Sequence, residues 1–155
     1  MLNEQATIYD TNNLARHHIF RDINLPALER LNIMMIDDNK KDINLVHDLL
    51  SAESSLNFRF SGYTNSHDAL TYLATSGSPD LIILDLVMPS VNGKMVLRRL
   101  KEVSRTRNIP VIIHSSMDKY NNIIETCRLE AHAFFAKPLD IEAFESLVLN
   151  QLFSS

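Results

Sequence analysis

The sequence predicts an α/β domain in which a five-stranded parallel sheet carries helices on both faces. Three observations lead there. From Asn32 onward, short β-branched or apolar runs alternate with longer segments whose apolar residues recur three and four apart, the pattern of βα units. The run Leu81-Ile82-Ile83-Leu84 has no polar face, as a central parallel strand covered from both sides should not. The chain has 155 residues, 45% hydrophobic and 22% charged, enough for one compact domain with a real core and too few for two.

Residues 1–30 stand outside the alternation. Ile19, Phe20, Ile23, Leu25 and Leu28 are interrupted by polar residues and by Pro26, so this stretch is read as an N-terminal arm, with 31–155 as the domain proper. The arm either packs on its own domain or serves to dimerise the chain or dock a partner. The first strand is Ile33-Met34-Met35-Ile36, followed by a helix with Ile43, Val46 and Leu50 on one face. A second strand around Phe58 and Phe60 alternates with polar residues and reads as an edge strand. Ala69, Leu70 and Leu73 mark a short helix ending near Ser76-Gly77, where glycine suits a left-handed terminal position. After the central strand, Val96, Leu100 and Val103 line the next helix, and Ile109 to Ile113 form the fourth strand, with Pro110 tolerable near its start. Residues 118–130 read as a weakly apolar helix with Ile124, Cys127 and Ala131 inward. Phe134-Phe135 give a fifth strand, and Ile141, Phe144, Val148 and Leu152 form the stripe of a last helix.

Composition narrows the function. Fifteen basic against nineteen acidic residues leave a net charge of −4, which disfavours direct nucleic-acid binding. The basic run Arg98, Arg99, Lys101, Arg105 and Arg107 is better explained as a solvated helix end whose cations suit the macrodipole. A single cysteine, Cys127, allows no internal disulfide, and neither it nor the pair His17-His18 belongs to a zinc-like cluster. The N-terminus lacks a signal-peptide pattern and no apolar run approaches a membrane span, so a reducing, cytoplasmic location without membrane insertion is expected.

The chemistry lies in the residues at the carboxyl end of each strand. Ile36 is followed by Asp37-Asp38, Leu84 by Asp85, the fourth strand and His114 by Ser115-Ser116, and the fifth strand by Lys137. Ligands of open α/β sheets bind outside the carboxyl ends of the strands, where the winding reverses, so these groups should converge. Three carboxylates there would repel by roughly 4 kcal/mol per pair at 4 Å and an effective dielectric near 20. Lys137 supplies one compensating charge. Hard oxygen donors without histidine or cysteine suit Mg2+, with Mn2+ as an alternative, better than Zn2+.

A carboxylate beside a divalent ion and a lysine is a credible nucleophile toward a phosphoryl group. Asp85, at the end of the central strand, takes that role. Asp37 and Asp38 become metal acids, Ser115 a hydroxyl donor to a phosphoryl oxygen, and Lys137 the ion-pair partner. An Asp pair after a strand is also a common helix cap, and Asn39 could cap as well. His114 reads as a buried or edge histidine with a partner rather than as an acid or base.

Ile36-Asp37-Asp38, the loop Asp85-Leu86-Val87-Met88-Pro89-Ser90-Val91-Asn92-Gly93, the pair Ser115-Ser116 and the run Phe134-Phe135-Ala136-Lys137-Pro138 together resemble the receiver domain of bacterial two-component response regulators, from about Asn32 to Phe153. The resemblance implies a flavodoxin-like fold with strand order 2-1-3-4-5. It implies metal binding by Asp38, Asp85 and the Val87 carbonyl, with Asp37 behind water. It further implies phosphorylation of Asp85 by a histidine kinase or phosphotransfer protein, switching through Ser115 and Phe134, and a cis Lys137-Pro138 peptide. Gly93 is expected to supply backbone freedom after the loop turn. Val87 and Met117, apolar where the family borders the path of the hydrolytic water, are expected to slow loss of the phosphoryl group. No room for an effector remains after Phe153, so signalling is expected through contacts with a downstream protein target, at a face built from residues 118–130, the fifth strand and the last helix. The rivals are an Mg2+-dependent aspartyl-phosphate hydrolase, for which Val87 stands where a second acid is wanted, and a receiver-like binding module that is never phosphorylated. Separate substrate turnover is not expected of the leading reading.

Overall fold

The structure, a computed structural model, describes residues 6–10, 30–88, 92–116 and 131–152. Its strands are β1 (Ala6–Asp10), β2 (Leu31–Ile36), β3 (Phe58–Tyr63), β4 (Leu81–Leu84), β5 (Val111–Ser115) and β6 (Ala133–Ala136). Its helices are α1 (Lys40–Glu53), α2 (Ser66–Thr75), α3 (Gly93–Glu102) and α4 (Ile141–Leu147), the last running into a π-helical turn at Val148–Leu152. The sheet order is β1-β3-β2-β4-β5-β6. Strands β3, β2, β4, β5 and β6 are mutually parallel, which is the predicted five-stranded order 2-1-3-4-5.

The sequence did not announce β1. It pairs antiparallel with β3, from Ala6 opposite Tyr63 to Asp10 opposite Arg59. The strand predicted to lie at the edge is therefore edge-like only within the parallel set, and a segment of the N-terminal arm covers its outer side. Residues 11–29, with Pro26 and His17-His18, lie outside the described residues, as do Pro89 to Val91, the predicted helix at 118–130 with Cys127, Met117 and Phe153.

Alternation in the strands builds two cores. Met34, Ile36, Ile82, Leu84, Val111 and Ile113 point to one face, where Ala69 and Leu73 of α2 and Val96, Leu97 and Leu100 of α3 cover them. Ile33, Met35, Leu81, Ile83 and Ile112 point to the other, against Ile43, Val46 and Leu50 of α1 and Ile141, Phe144 and Val148 of α4. Each such aliphatic or aromatic side chain stabilises the fold by roughly 1.5–3 kcal/mol on burial. The stripe predicted for α1 is thus the buried one, and of that predicted for the last helix Ile141, Phe144 and Val148 are buried and Leu152 partly so. No helix among the described residues is long and apolar enough to cross a membrane.

Two predicted details change. The fourth strand starts at Val111 rather than Ile109, because Pro110 has no N–H to give the ladder; its carbonyl instead accepts from Ile82 at 3.0 Å. The glycines are also not where they are for left-handed backbone, since none has positive φ. A Cβ at Gly77 would run into the ring of Tyr72, an exposed side chain that would have to swing aside. Gly93 opens α3 hard against the loop after β4, where a Cβ would stand 2.4 Å from Leu86 Cα and 2.7 Å from the Asp85 carbonyl oxygen. Close approach, not freedom after a turn, is what this position demands.

Candidate functional site

The carboxyl ends of β2, β4, β5 and β6 meet where the predicted groups lie. Asp37 directly follows β2, its N–H donating to the Tyr63 carbonyl at 3.0 Å, and the Asp85 N–H donates to the Ile36 carbonyl at 3.0 Å. The ladder thereby sets the two acids side by side. The Lys137 N–H donates to the Ser115 carbonyl at 2.7 Å, which continues the β5–β6 pairing by one rung and brings the lysine alongside the serine. The Lys137-Pro138 peptide is cis, as expected.

Helix capping is kept apart from chemistry. The Asn39 side chain accepts from the Lys41 N–H at 3.0 Å and caps α1, so the Asp pair is not spent on that duty. Asn65 and Asn92 cap α2 and α3 in the same manner.

Oxygen atoms of Asp37, Asp38 and Asp85 all lie within 4.8 Å of one another, forming an acidic metal-binding site. The donor set is all carboxylate, which fits a hard divalent cation. Asp37 is fully buried; one oxygen accepts from the Asn39 N–H at 2.9 Å and the other from Lys137 Nζ at 2.9 Å. Asp85 is nearly buried, with Oδ1 accepting from the Val87 N–H at 3.0 Å and Oδ2 from Lys137 Nζ at 3.2 Å. Asp38 is half-buried.

Burial and pairing pull on the titrations in opposite senses. Burial pushes the Asp37 carboxyl up to about 6 against the restraining hydrogen bond from Lys137. At Lys137 burial alone would lower the ammonium, but its bonds to Asp37 and Asp42 carry it above the ordinary lysine range. Several acids face one ammonium, so the cation is held charged while the most enclosed acid is only partly relieved.

Asp42 is a member of the site that sequence reasoning missed. It lies in the first turn of α1, and its Oδ2 accepts from Lys137 Nζ at 2.7 Å, the shortest of the three bonds. The signal was an acid three residues after a helix cap at the end of a site strand, but an acid there also suits the macrodipole and so draws no notice.

Ser115, at the carboxyl end of β5, is buried and its hydroxyl has no partner among the described residues. His114 corrects an expectation: it is buried, yet neither ring nitrogen finds a hydrogen-bond partner there. Its side chain faces the opposite side of β5 from Ser115. Val87 sits on the loop after β4 in an isolated bridge with Asn92. Phe134 is partly buried against the core on the α2–α3 face.

The profile of the response regulator receiver domain matches residues 33–149. Among similar proteins, response regulator PleD of Caulobacter vibrioides is 32% identical over 110 residues, covering 70% of this chain and 23% of PleD. The two-component response regulator ARR16 of Arabidopsis thaliana is 34% identical over 131 residues, covering 77% of this chain and 79% of that protein. The solved bacteriophytochrome response regulator AtBRR superposes with a TM-score of 0.70 at 25% identity, covering 82% of this chain and 96% of that one. The chain spans under a quarter of PleD's length, 23%, and 52% of that of response regulator Rre1 from Synechocystis.

Proposed function

The chain belongs to the response regulator receiver family, a receiver phosphorylated on aspartate in two-component signalling and not a separate enzyme, and on that premise we propose that Asp85 is the phosphoacceptor. The supporting observation is its placement: it follows the central strand β4, lies against Lys137 and clusters with Asp37 and Asp38, with Ser115 ending the neighbouring strand β5. In Asp37 and Asp85 alike both oxygens are hydrogen-bonded, but Asp37 is the poorer nucleophile because its side chain is fully enclosed while that of Asp85 keeps 7% exposure.

In the proposed reaction an Asp85 carboxylate oxygen forms a bond to the donor's phosphorus. The bond from phosphorus to the donor histidine nitrogen breaks, and that nitrogen keeps the electron pair. The Lys137 ammonium and the Ser115 hydroxyl donate to phosphoryl oxygens as charge builds on them. Mg2+, held by Asp38, Asp85 and the Val87 carbonyl with Asp37 acting through water, would neutralise charge on the transferred oxygens, and Mn2+ suits the same donors. A histidine kinase or phosphotransfer protein supplies the phosphoryl group. Drawing Ser115 toward the new charge moves the end of β5, and Phe134 on β6 responds by packing deeper. A downstream protein reads that change, in the cytoplasm. The arm at 1–30 is proposed as an extension of the 31–155 domain, which β1 favours by joining its sheet.

Intact-mass measurement after incubation with acetyl phosphate and Mg2+ tests the assignment. One hydroxylamine-sensitive phosphoryl adduct on the wild type and none on Asp85→Asn is the expected result. An adduct that survives Asp85→Asn refutes the residue. No adduct under any condition favours a binding module, and multiple turnover of small phosphate esters favours a hydrolase.

A further inference from the structure

We infer that Asp42 is a positioning residue that holds the Lys137 ammonium toward α1 and competes for it with a phosphoryl group on Asp85. The inference rests on the Asp85 reading above and concerns what sets the strength of the switch.

An ammonium has three N–H donors and no more. All three are committed in this structure: to Asp42 at 2.7 Å, to Asp37 at 2.9 Å and to Asp85 at 3.2 Å. The cation therefore sits displaced from the phosphoacceptor and closest to the acid of α1. Asp37 and Asp85 each share in the metal-binding cluster, but Asp42 does not. Its charge is answered by Lys137.

Position distinguishes Asp42 further. Its side chain is 29% exposed, against 0% for Asp37 and 7% for Asp85, so it forms the solvent-side anchor of the lysine. A phosphoryl group on Asp85 extends outward from β4 and presents strong acceptors to the ammonium. For Lys137 to meet them it must shift toward β4, and that lengthens its shortest bond. Asp42 therefore opposes the phosphorylated arrangement, and a neutral residue in its place should release the lysine to the phosphoryl side. The rival is a mere staple, in which Asp42 ties α1 to the residue after β6 and affects stability alone.

The full chain, its Asp42→Asn and Asp42→Ser variants, the charge-retaining Asp42→Glu and the control Asp85→Asn separate these. Beryllofluoride, a phosphoryl mimic, is titrated at saturating Mg2+ and followed by fluorine NMR. The two neutral variants should bind it about fivefold more tightly than wild type, the scale of one part-exposed ion pair, and Asp42→Glu should return toward wild type. Without metal, the Lys137 ammonium proton signal should be retained in wild type and Asp42→Glu and be shifted or lost in the neutral variants. Asp42 lies outside both cores, and two neutral replacements guard against one that fails to fold. Unchanged or weaker beryllofluoride binding in both neutral variants, with only melting temperature altered, overturns the competition in favour of the staple. If wild type binds no beryllofluoride, or Asp85→Asn binds it equally, the Asp85 assignment fails instead and the competition falls with it.

Discussion

Replacing His114 by leucine should stabilise the protein more at pH 5 than at pH 7. The imidazole is 2% exposed, with both nitrogens unpartnered among the described residues. Burial, and after it the neighbouring Lys137 charge, pushes its pKa down from 6.5 to about 4. The unfolded chain therefore takes up a proton near pH 6.5 that the folded protein refuses until about pH 4. Between those values the folded state holds fewer protons, so the contribution is fully present above 6.5 and is lost as pH falls toward 4. At pH 5 the unfolded state has gained about 1.5 pH units of protonation, or about 2 kcal/mol; at pH 7 it has gained almost nothing. His114→Leu abolishes this titration. Its packing change, and the relief of two unsatisfied nitrogens, act equally at both pH values and drop out of the comparison. Urea unfolding of both proteins at pH 7 and pH 5 without divalent cations should show the stability gap widening by about 2 kcal/mol at the lower pH. A gap of equal size at both values would refute a neutral, enclosed imidazole.

Asp37 titrates with the opposite sign: its pKa is raised to about 6, so the folded state holds the extra proton between about 4 and 6 and stability is lost as pH rises through that window. Asp37→Asn should raise the metal-free melting temperature at pH 7 and flatten its pH dependence, while weakening divalent binding by about tenfold in a Mn2+ titration. Gly93→Ala should destabilise by about 2 kcal/mol in chemical denaturation, because overlap with Leu86 outweighs the roughly 1 kcal/mol by which helix propensity favours alanine. A neutral result there would show that the loop after β4 yields easily. Ser115→Ala should leave stability unchanged or raise it by about 1 kcal/mol, since it removes an unsatisfied hydroxyl, yet slow phosphorylation by acetyl phosphate about tenfold. Loss of stability with normal phosphorylation would reverse that assignment.

How much of the molecule is legible in the residues alone depends on how tightly each one is constrained. The central strands are plain because Met34 to Ile36 and Leu81 to Leu84 are buried on both sides and carry no polar face. The acids and the lysine are plain for a topological reason, since each directly follows a strand of one parallel sheet. Asp42 is not, because its partner is 95 residues away and its position in a first helical turn has an adequate local explanation. Gly77 and Gly93 mislead because a sequence shows that a side chain is missing without showing what fills the space. The strand at Ala6–Asp10 escapes because an antiparallel addition needs no crossover helix, so the βα rhythm carries no trace of it.

That added strand has a consequence for self-association. A chain flank with unpaired backbone N–H and C=O groups is a template on which further strands can grow, and polymerisation often begins there. Here the outer side of β3 is already paired from Arg59 to Tyr63 by Ala6–Asp10 of the same chain, in register over five positions. That strand moves the sheet's open flank outward from β3 to β1, and a chain lacking Ala6–Asp10 would present the outer side of β3 as the flank instead.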